Sequence, residues 1–280
     1  MTTPLFEADA LTVRTRNPSG WYDILRDISF HIKPGDILGV VGESGSGKST
    51  LGLACLDLLG SAFHISGTRR VKGHNIDTMA EKARTAIRGR TISYVPPEPM
   101  TALNPGMTVT QHLAEGLRHS TALSRQAKAE RIGELLQAVG LDNGPHLRQA
   151  YPHTLSGGQR QRILLAAALA GKPDLLIADE ATTALDPASR DTVVALLKAQ
   201  AAERGMATIL ISHDLELVAR HTSSLLVLRG GSIVEQGQTA AVMAQPASVY
   251  LRSLLALSLR FTPRAPLSLF PEQAIQGAEV

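Results

Sequence analysis

One cysteine, Cys55, occurs in 280 residues. A lone thiol can neither close an internal disulfide nor assemble a multi-thiolate metal site, which fits a reducing compartment such as the cytoplasm. Long hydrophobic runs are missing as well, since nothing approaches the roughly 18 uninterrupted apolar residues of a membrane-spanning helix. The opening Met1-Thr2-Thr3-Pro4-Leu5-Phe6-Glu7 has neither the cationic head nor the apolar core of a secretory leader. The expectation is a chain that neither spans a membrane nor is exported. Aromatic residues make up only 4%, and Lys+Arg exceed Asp+Glu by 28 − 25 = 3. Basic patches with interleaved aromatics, which nucleic-acid binding favours, are not found. The histidines are scattered, and His112 with His119 lacks a third ligand nearby, so both read as solvated surface rather than a metal site.

What the chain does have is apolar surface: hydrophobic residues are 44% against 19% charged, enough for a sizeable core. Its length suits about two modules, or one core with a substantial insertion. Residues 5–30 alternate loosely, as in Leu11-Thr12-Val13 and Ile28-Ser29-Phe30, around the turn Asn17-Pro18-Ser19-Gly20; this predicts antiparallel strands. After Pro34-Gly35-Asp36, the run Ile37-Leu38-Gly39-Val40-Val41 predicts a strand buried on both faces. A glycine-rich loop follows, then a helix expected over residues 50–59 and ended by Gly60. Residues 96–161 turn to helix-compatible, charge-bearing segments, at 110–119 and at 124–139 closed by Gly140, which predicts a mostly helical insertion. Leu175-Leu176-Ile177-Ala178, Ala207-Thr208-Ile209-Leu210-Ile211 and Leu225-Leu226-Val227-Leu228 predict further buried strands, separated by helix such as residues 189–203. That rhythm implies a parallel sheet. A helix over 240–259 and a loosely ordered, proline-bearing tail complete the expectation.

Chemistry is concentrated in a few places. Gly42-Glu43-Ser44-Gly45-Ser46-Gly47-Lys48-Ser49 has phosphate-loop spacing between a strand and a helix that starts near Thr50. Glycines let backbone N–H groups converge on phosphate oxygens, and the following helix turns its positive end to the same anion. Lys48 supplies a point charge for β/γ phosphates, and the Ser49 hydroxyl is a hard ligand for Mg²⁺. Leu155-Ser156-Gly157-Gly158-Gln159 opens a second helix, with Ser156 placed to cap it and the glycines leaving N–H groups uncovered. Leu175 to Ala178 ends in Asp179 and Glu180, at the edge of a parallel sheet where ligands bind. Asp179 would hold Mg²⁺ through water, and Glu180 would orient or deprotonate the attacking water. Ala184-Leu185-Asp186 lies just beyond, and His213 follows the strand 207–211, where it could contact a γ-phosphate.

Taken in order, these five motifs resemble the nucleotide-binding subunit of ABC transporters, over residues 5–258. Glu98-Pro99-Met100-Thr101-Ala102-Leu103-Asn104-Pro105 and, more weakly, Tyr250-Leu251-Arg252-Ser253-Leu254-Leu255 resemble its oligopeptide/dipeptide/nickel importer group. The resemblance implies an α/β fold: a P-loop NTPase (RecA-like) core with an antiparallel β-subdomain and a helical subdomain at about 96–161, and residues 259–280 as a tail. It implies a head-to-tail dimer enclosing two ATP molecules with Mg²⁺, each phosphate loop facing the partner's Ser156, Gly157, Gly158 and Gln159. ATP hydrolysis would drive uptake of peptide, nickel or a related solute. The partners implied are a paralogous ATPase subunit, two membrane permease subunits and, indirectly, an extracytoplasmic solute-binding protein, with no nucleic acid. The place implied is the cytoplasmic face of the membrane.

The chain departs from that group in Val95-Pro96-Pro97-Glu98-Pro99, where Pro97 replaces the glutamine that approaches Mg²⁺ and the attacking water. Proline offers no side-chain ligand, so reduced hydrolysis is expected, with Glu98 or water filling the gap. Ala181 replaces a proline after Glu180, a change expected to be mild. Thr15 lies where an adenine-stacking aromatic often sits, with Trp21 or Tyr22 as substitutes. Two alternatives stand beside the importer ATPase. One is a soluble ABC-type ATPase outside transport, against which the chain lacks a coiled-coil insertion and a second cassette; the other is a hydrolytically weak regulatory partner.

Overall fold

The computed structural model describes residues 3–18, 20–118 and 123–261. Ser19, His119 and the tail from 262 onward lie outside the described residues. Among the described residues the chain separates into two compact units, one drawn from Met1–Thr78 and Ile209–Val280, the other Met79–Thr208.

The first unit opens with β1 (Phe6–Asn17) and β2 (Gly20–Ile32), antiparallel from Phe6↔Ile32 to Asn17↔Gly20 with register shifts between. Their loose alternation places Phe6, Leu11, Val13, Leu25 and Ile28 inside. β3 (Ile37–Val41) is buried at all five positions, as expected of an apolar run without polar alternation. Then come α1 (Lys48–Cys55), β4 (Phe63–Val71) and β5 (His74–Asn75), the last two extending an antiparallel sheet in the order β2-β1-β4-β5. Helix α1 is shorter than the expected 50–59. The buried guanidinium of Arg69 donates to the Ala54 carbonyl and pairs with Asp57 and Asp77, and Asp57 takes a left-handed backbone, φ 55. The last turn is therefore stopped from the sheet side, before Gly60. Beneath this network Cys55 is fully buried.

The second unit runs α2 (Glu81–Ile87), β6 (Ile92–Val95), α3 (Pro99–Ala102), α4 (Val109–Gly116), α5 (Arg125–Ala138), α6 (Pro145–Gln149), a 3-10 turn at Pro152–Thr154, α7 (Gly157–Ala170), β7 (Leu175–Asp179) and α8 (Pro187–Arg204). Most of these helices start where the side-chain chemistry predicts. Thr108 and Gln111 form a capping box on α4, Ser124 accepts from the Ala127 N–H on α5, and Asp186 accepts from the Ser189 N–H on α8. α4 and α5 pack on α7, burying Leu113, Leu136, Ile163 and Leu165. β6 and β7 pair in parallel from Ile92↔Leu175 to Val95↔Ala178, which fixes the carboxyl end of β7 and the residues after it.

β8 (Ala207–Ile211) crosses from one unit to the other, with Ala207 N–H donating to Asp174 O at its start and Ser212 N–H donating to Val40 O beyond its end. The first unit then continues with α9 (Leu215–His221), β9 (Ser224–Arg229), β10 (Ser232–Gln238), α10 (Thr239–Ala244) and α11 (Val249–Phe261). β9 is parallel to β3 and antiparallel to β10. One helix expected over 240–259 is in fact two. Pro246 has no N–H and disfavours helical backbone at Gln245 (φ −137, ψ 72). The Glu235 carboxylate accepts from the Ala247 and Ser248 N–H groups, at 2.7 and 2.9 Å, holding the break in place. Val41, Leu215, Val218, Val227, Met243, Leu251 and Leu255 form one buried cluster of this unit.

Candidate functional site

The phosphate loop leaves β3 and closes into α1. Gly47, its N-cap, has φ 100, and no side chain caps the helix. A Cβ on Gly47 would lie 2.6 Å from Leu25 Cδ2, and one on Gly42 would lie 2.2 Å from the Leu228 carbonyl. Both positions are thus closed to side chains by conformation or space. Lys48 is only 8% exposed, and its ammonium donates to the Gly42 and Glu43 carbonyls, each at 2.8 Å. Ser46 is buried too, and its hydroxyl has no hydrogen-bond partner among the described residues. Glu43, Ser44, Gly45 and Ser49 stand exposed at the lip, with Thr50 half-buried. A backbone cramped at Gly42 and Gly47, a buried ammonium and an unengaged hydroxyl fit a polyphosphate group. His213 is exposed just past β8 in the same unit, on a turn held by the Asp214 N–H donating to Ser212 Oγ at 3.0 Å.

The second unit carries the other candidates. Asp179 is fully buried at the end of β7, and its Oδ2 accepts from the Tyr94 hydroxyl at 2.8 Å. Burial, and then the Asp179 charge, push the Tyr94 phenol far above its ordinary value, so it stays protonated as the donor. At Glu180 the backbone turns left-handed, φ 51, so the two adjacent carboxylates part company. The Glu180 carboxylate, half-buried, accepts from Thr183 Oγ1 at 2.6 Å, and its carbonyl accepts from the buried Gln161 amide at 3.2 Å. Gln161 lies on α7, so the helix opened by Ser156 is bonded to the acidic turn.

Ser156 caps α7 with a complete capping box: the Gln159 N–H donates to Ser156 Oγ at 3.2 Å and the Ser156 N–H to Gln159 Oε1 at 2.8 Å. Gly157 and Gly158 are half-buried, and a Cβ on Gly158 would lie 3.4 Å from the Ala184 carbonyl, an ordinary contact. Asp186 is engaged locally, accepting from Ser189 Oγ at 2.6 Å and the Ser189 N–H at 3.0 Å; these bonds lower its pKa. Pro97 is exposed after β6. Trp21 and Tyr22 are exposed on β2, the Trp21 ring edge-on to His64, while Thr15 Oγ1 donates to the Ala62 carbonyl. Among the described residues there is no cluster of three His, Cys, Asp or Glu able to hold a metal by itself. The oxygens suited to a hard cation are the Ser49 hydroxyl and the Asp179 carboxylate, which lie in different units.

Tyr94 and Gln161 were not anticipated. The first sits in Ile92-Ser93-Tyr94-Val95, a four-residue strand whose pattern is too short to stand out. The second lies one turn into a helix read mainly for its cap.

A strand, phosphate loop and helix, with an antiparallel sheet in the same unit and a helix-rich second unit, define an ATP-binding cassette of the P-loop NTPase class. A family profile described as "ABC transporter" matches residues 25–183. A Brucella abortus (strain 2308) protein, whose name provisionally assigns it to peptide import as an ATP-binding protein, is 39% identical over 255 residues, 91% of this chain and 77% of that protein. The oligopeptide transport ATP-binding protein OppD of Mycobacterium tuberculosis (strain H37Rv) is 38% identical over 234 residues, 83% of this chain and 38% of that protein. A solved dimeric bacterial ABC transporter cassette superposes with a TM-score of 0.76 at 25% identity, over 84% of this chain and 98% of that one. The chain belongs to the ABC transporter family and is one of its ATPases. No described helix is long and apolar enough to cross a membrane.

Proposed function

We propose that the chain is the ATP-binding subunit of an ABC importer for peptides or a related solute, working on the cytoplasmic face of the membrane. The observation that carries the nucleotide part is the phosphate loop, where the buried Lys48 ammonium and Ser46 hydroxyl stand on a backbone whose Gly42 and Gly47 positions are closed to side chains. The importer part is supported by the names of the relatives and by the residues 98–105 noted above. Residues 5–258 would form the cassette, with the helical subdomain at about 96–161 and the tail beyond. A paralogous ATPase, two permease subunits and a solute-binding protein outside the cell would complete the transporter.

In this reading Glu43 to Thr50 hold the phosphates, with Lys48 supplying the charge. Gly42 gives the loop room to turn. Ser156, Gly157, Gly158 and Gln159 present a second helix end to the nucleotide held by the partner subunit. Ser49 and Asp179 would hold Mg²⁺, which when bound draws charge from the phosphate oxygens. Tyr94 fixes one Asp179 oxygen, so that carboxylate cannot swing. Glu180 takes a proton from the attacking water, and His213 donates toward the terminal phosphate.

The test is turnover in the reconstituted transporter. Glu180→Gln should retain ATP binding and lose at least about 100-fold in hydrolysis, within the range for loss of a general base; unchanged turnover would remove Glu180 from the role. A second reading, a site that binds ATP but hydrolyses poorly, is favoured by the exposed Pro97. Pro97→Gln should then raise the ATPase rate or its coupling to uptake, and no gain in either would discard that reading.

A further inference from the structure

The run Tyr250-Leu251-Arg252-Ser253-Leu254-Leu255 was noted in the sequence, yet the nucleotide chemistry gives it no task. It lies on α11, and two contacts tie its tyrosine to distant parts of the first unit. The Glu43 backbone N–H donates to the Tyr250 hydroxyl at 2.7 Å, and the Arg229 guanidinium stands over the Tyr250 ring, 5.0 Å from its centroid. The ring also packs on the buried cluster that includes Val41 and Leu251. Core packing and a cation–π contact therefore aim the hydroxyl.

The N–H that reaches Tyr250 belongs to the peptide joining Gly42 and Glu43. In a planar trans peptide the N–H and C=O point in opposite directions, and the carbonyl of this one is Gly42 O, which accepts from Lys48 Nζ at 2.8 Å. Fixing the N–H fixes the carbonyl, and the two bonds polarise each other through the shared amide.

We propose that Tyr250 is a positioning residue for Lys48. Helix α11 reaches the phosphate loop, sets the plane of the Gly42–Glu43 peptide and, through it, the resting place of the ammonium. This rests on the nucleotide-site reading above and adds to it an input from the C-terminal helix: whatever displaces α11 changes the grip on ATP. A phenylalanine would fill the same space, so the hydroxyl is the part of the side chain that packing does not require.

Tyr250→Phe keeps the ring, its packing and the arginine contact. In the full chain, with a fluorescent ATP analogue displaced by ATP, it should weaken ATP affinity about three- to ten-fold, the scale of one lost hydrogen bond. The melting temperature without nucleotide should match the unmodified protein. In a Lys48→Arg background, where the link is already displaced, the same change should cost less than about two-fold. Unaltered ATP affinity in Tyr250→Phe overturns the proposal. So does a loss undiminished in the Lys48→Arg background, or one matched by a lower nucleotide-free melting temperature, which would assign Tyr250 to packing. Lys48→Ala separates the levels: if it binds ATP normally, the nucleotide-site reading fails, whatever Tyr250 does.

Discussion

Helix α1 starts from Gly47 in a left-handed conformation with no side chain closing its first turn, whereas α7 starts from Ser156 with a complete capping box. Both carry glycines at or beside the first turn and look alike as sequence. Their difference lies in who satisfies the first amides. At α7 the chain does so for the Gln159 and Ser156 N–H groups, with its own hydroxyl and side-chain amide, so that end holds its shape by itself. At α1 the chain supplies glycine and a lysine and no side-chain cap, which suits the helix end to an acceptor from outside the chain. A helix end left open in this way trades local stability for ligand affinity, while a capped one retains both its fold and its exposed face.

The largest effect that sharpens this contrast is expected at Lys48. Lys48→Ala should weaken ATP binding at least about 100-fold by titration, since the buried charge is lost from the loop. The two glycines come next. Gly47→Ala meets both φ 100 and Leu25 at 2.6 Å and should cost about 1–3 kcal/mol in urea unfolding. Gly158→Ala, in ordinary contact, should stay within about 0.5 kcal/mol. Equal costs at the two sites would erase the distinction.

Ser156→Ala should cost about 1 kcal/mol through the lost cap, lowering the melting temperature by roughly 2–4 °C for a chain of this size. The smallest effect is a pH dependence at α11. Burial alone would raise the Glu235 pKa, but hydrogen bonds from Ser248 and Ala247 outweigh it and hold the group below its ordinary value of 4.5. A depressed carboxylate contributes stability that is complete above its unfolded pKa and is lost as pH falls through the folded one. Acidification below about 4.5 should therefore loosen the start of α11, read by amide exchange at Ala247 and Ser248, and Glu235→Gln should remove that dependence.

Much of this was legible because local signals and tertiary demands agreed. The five-residue apolar runs 37–41 and 207–211 became fully buried strands, and Ser156 became the cap expected of it. β6 and β10 were not legible. Ile92 to Val95 is too short, and Ser232 to Gln238 is a polar, half-exposed partner of β9 whose pattern carries no core face. The early end of α1 was hidden for another reason, because Arg69, which stops it, comes from a strand later in the chain. The chemistry of the phosphate loop could be read from spacing, but the Tyr94 bond to Asp179 could not, since parallel pairing of β6 with β7 creates that neighbourhood.

The burial of Cys55 also has a practical side. Desolvation pushes its thiol up to about 12, against the smaller opposing pull of Arg69, so at neutral pH almost no thiolate exists to react. The native molecule should ignore alkylating reagents, and modification should report only chains that have opened. A cysteine engineered at the surface, at Trp21 for instance, would then be the sole labelled position, with no need to remove the natural one.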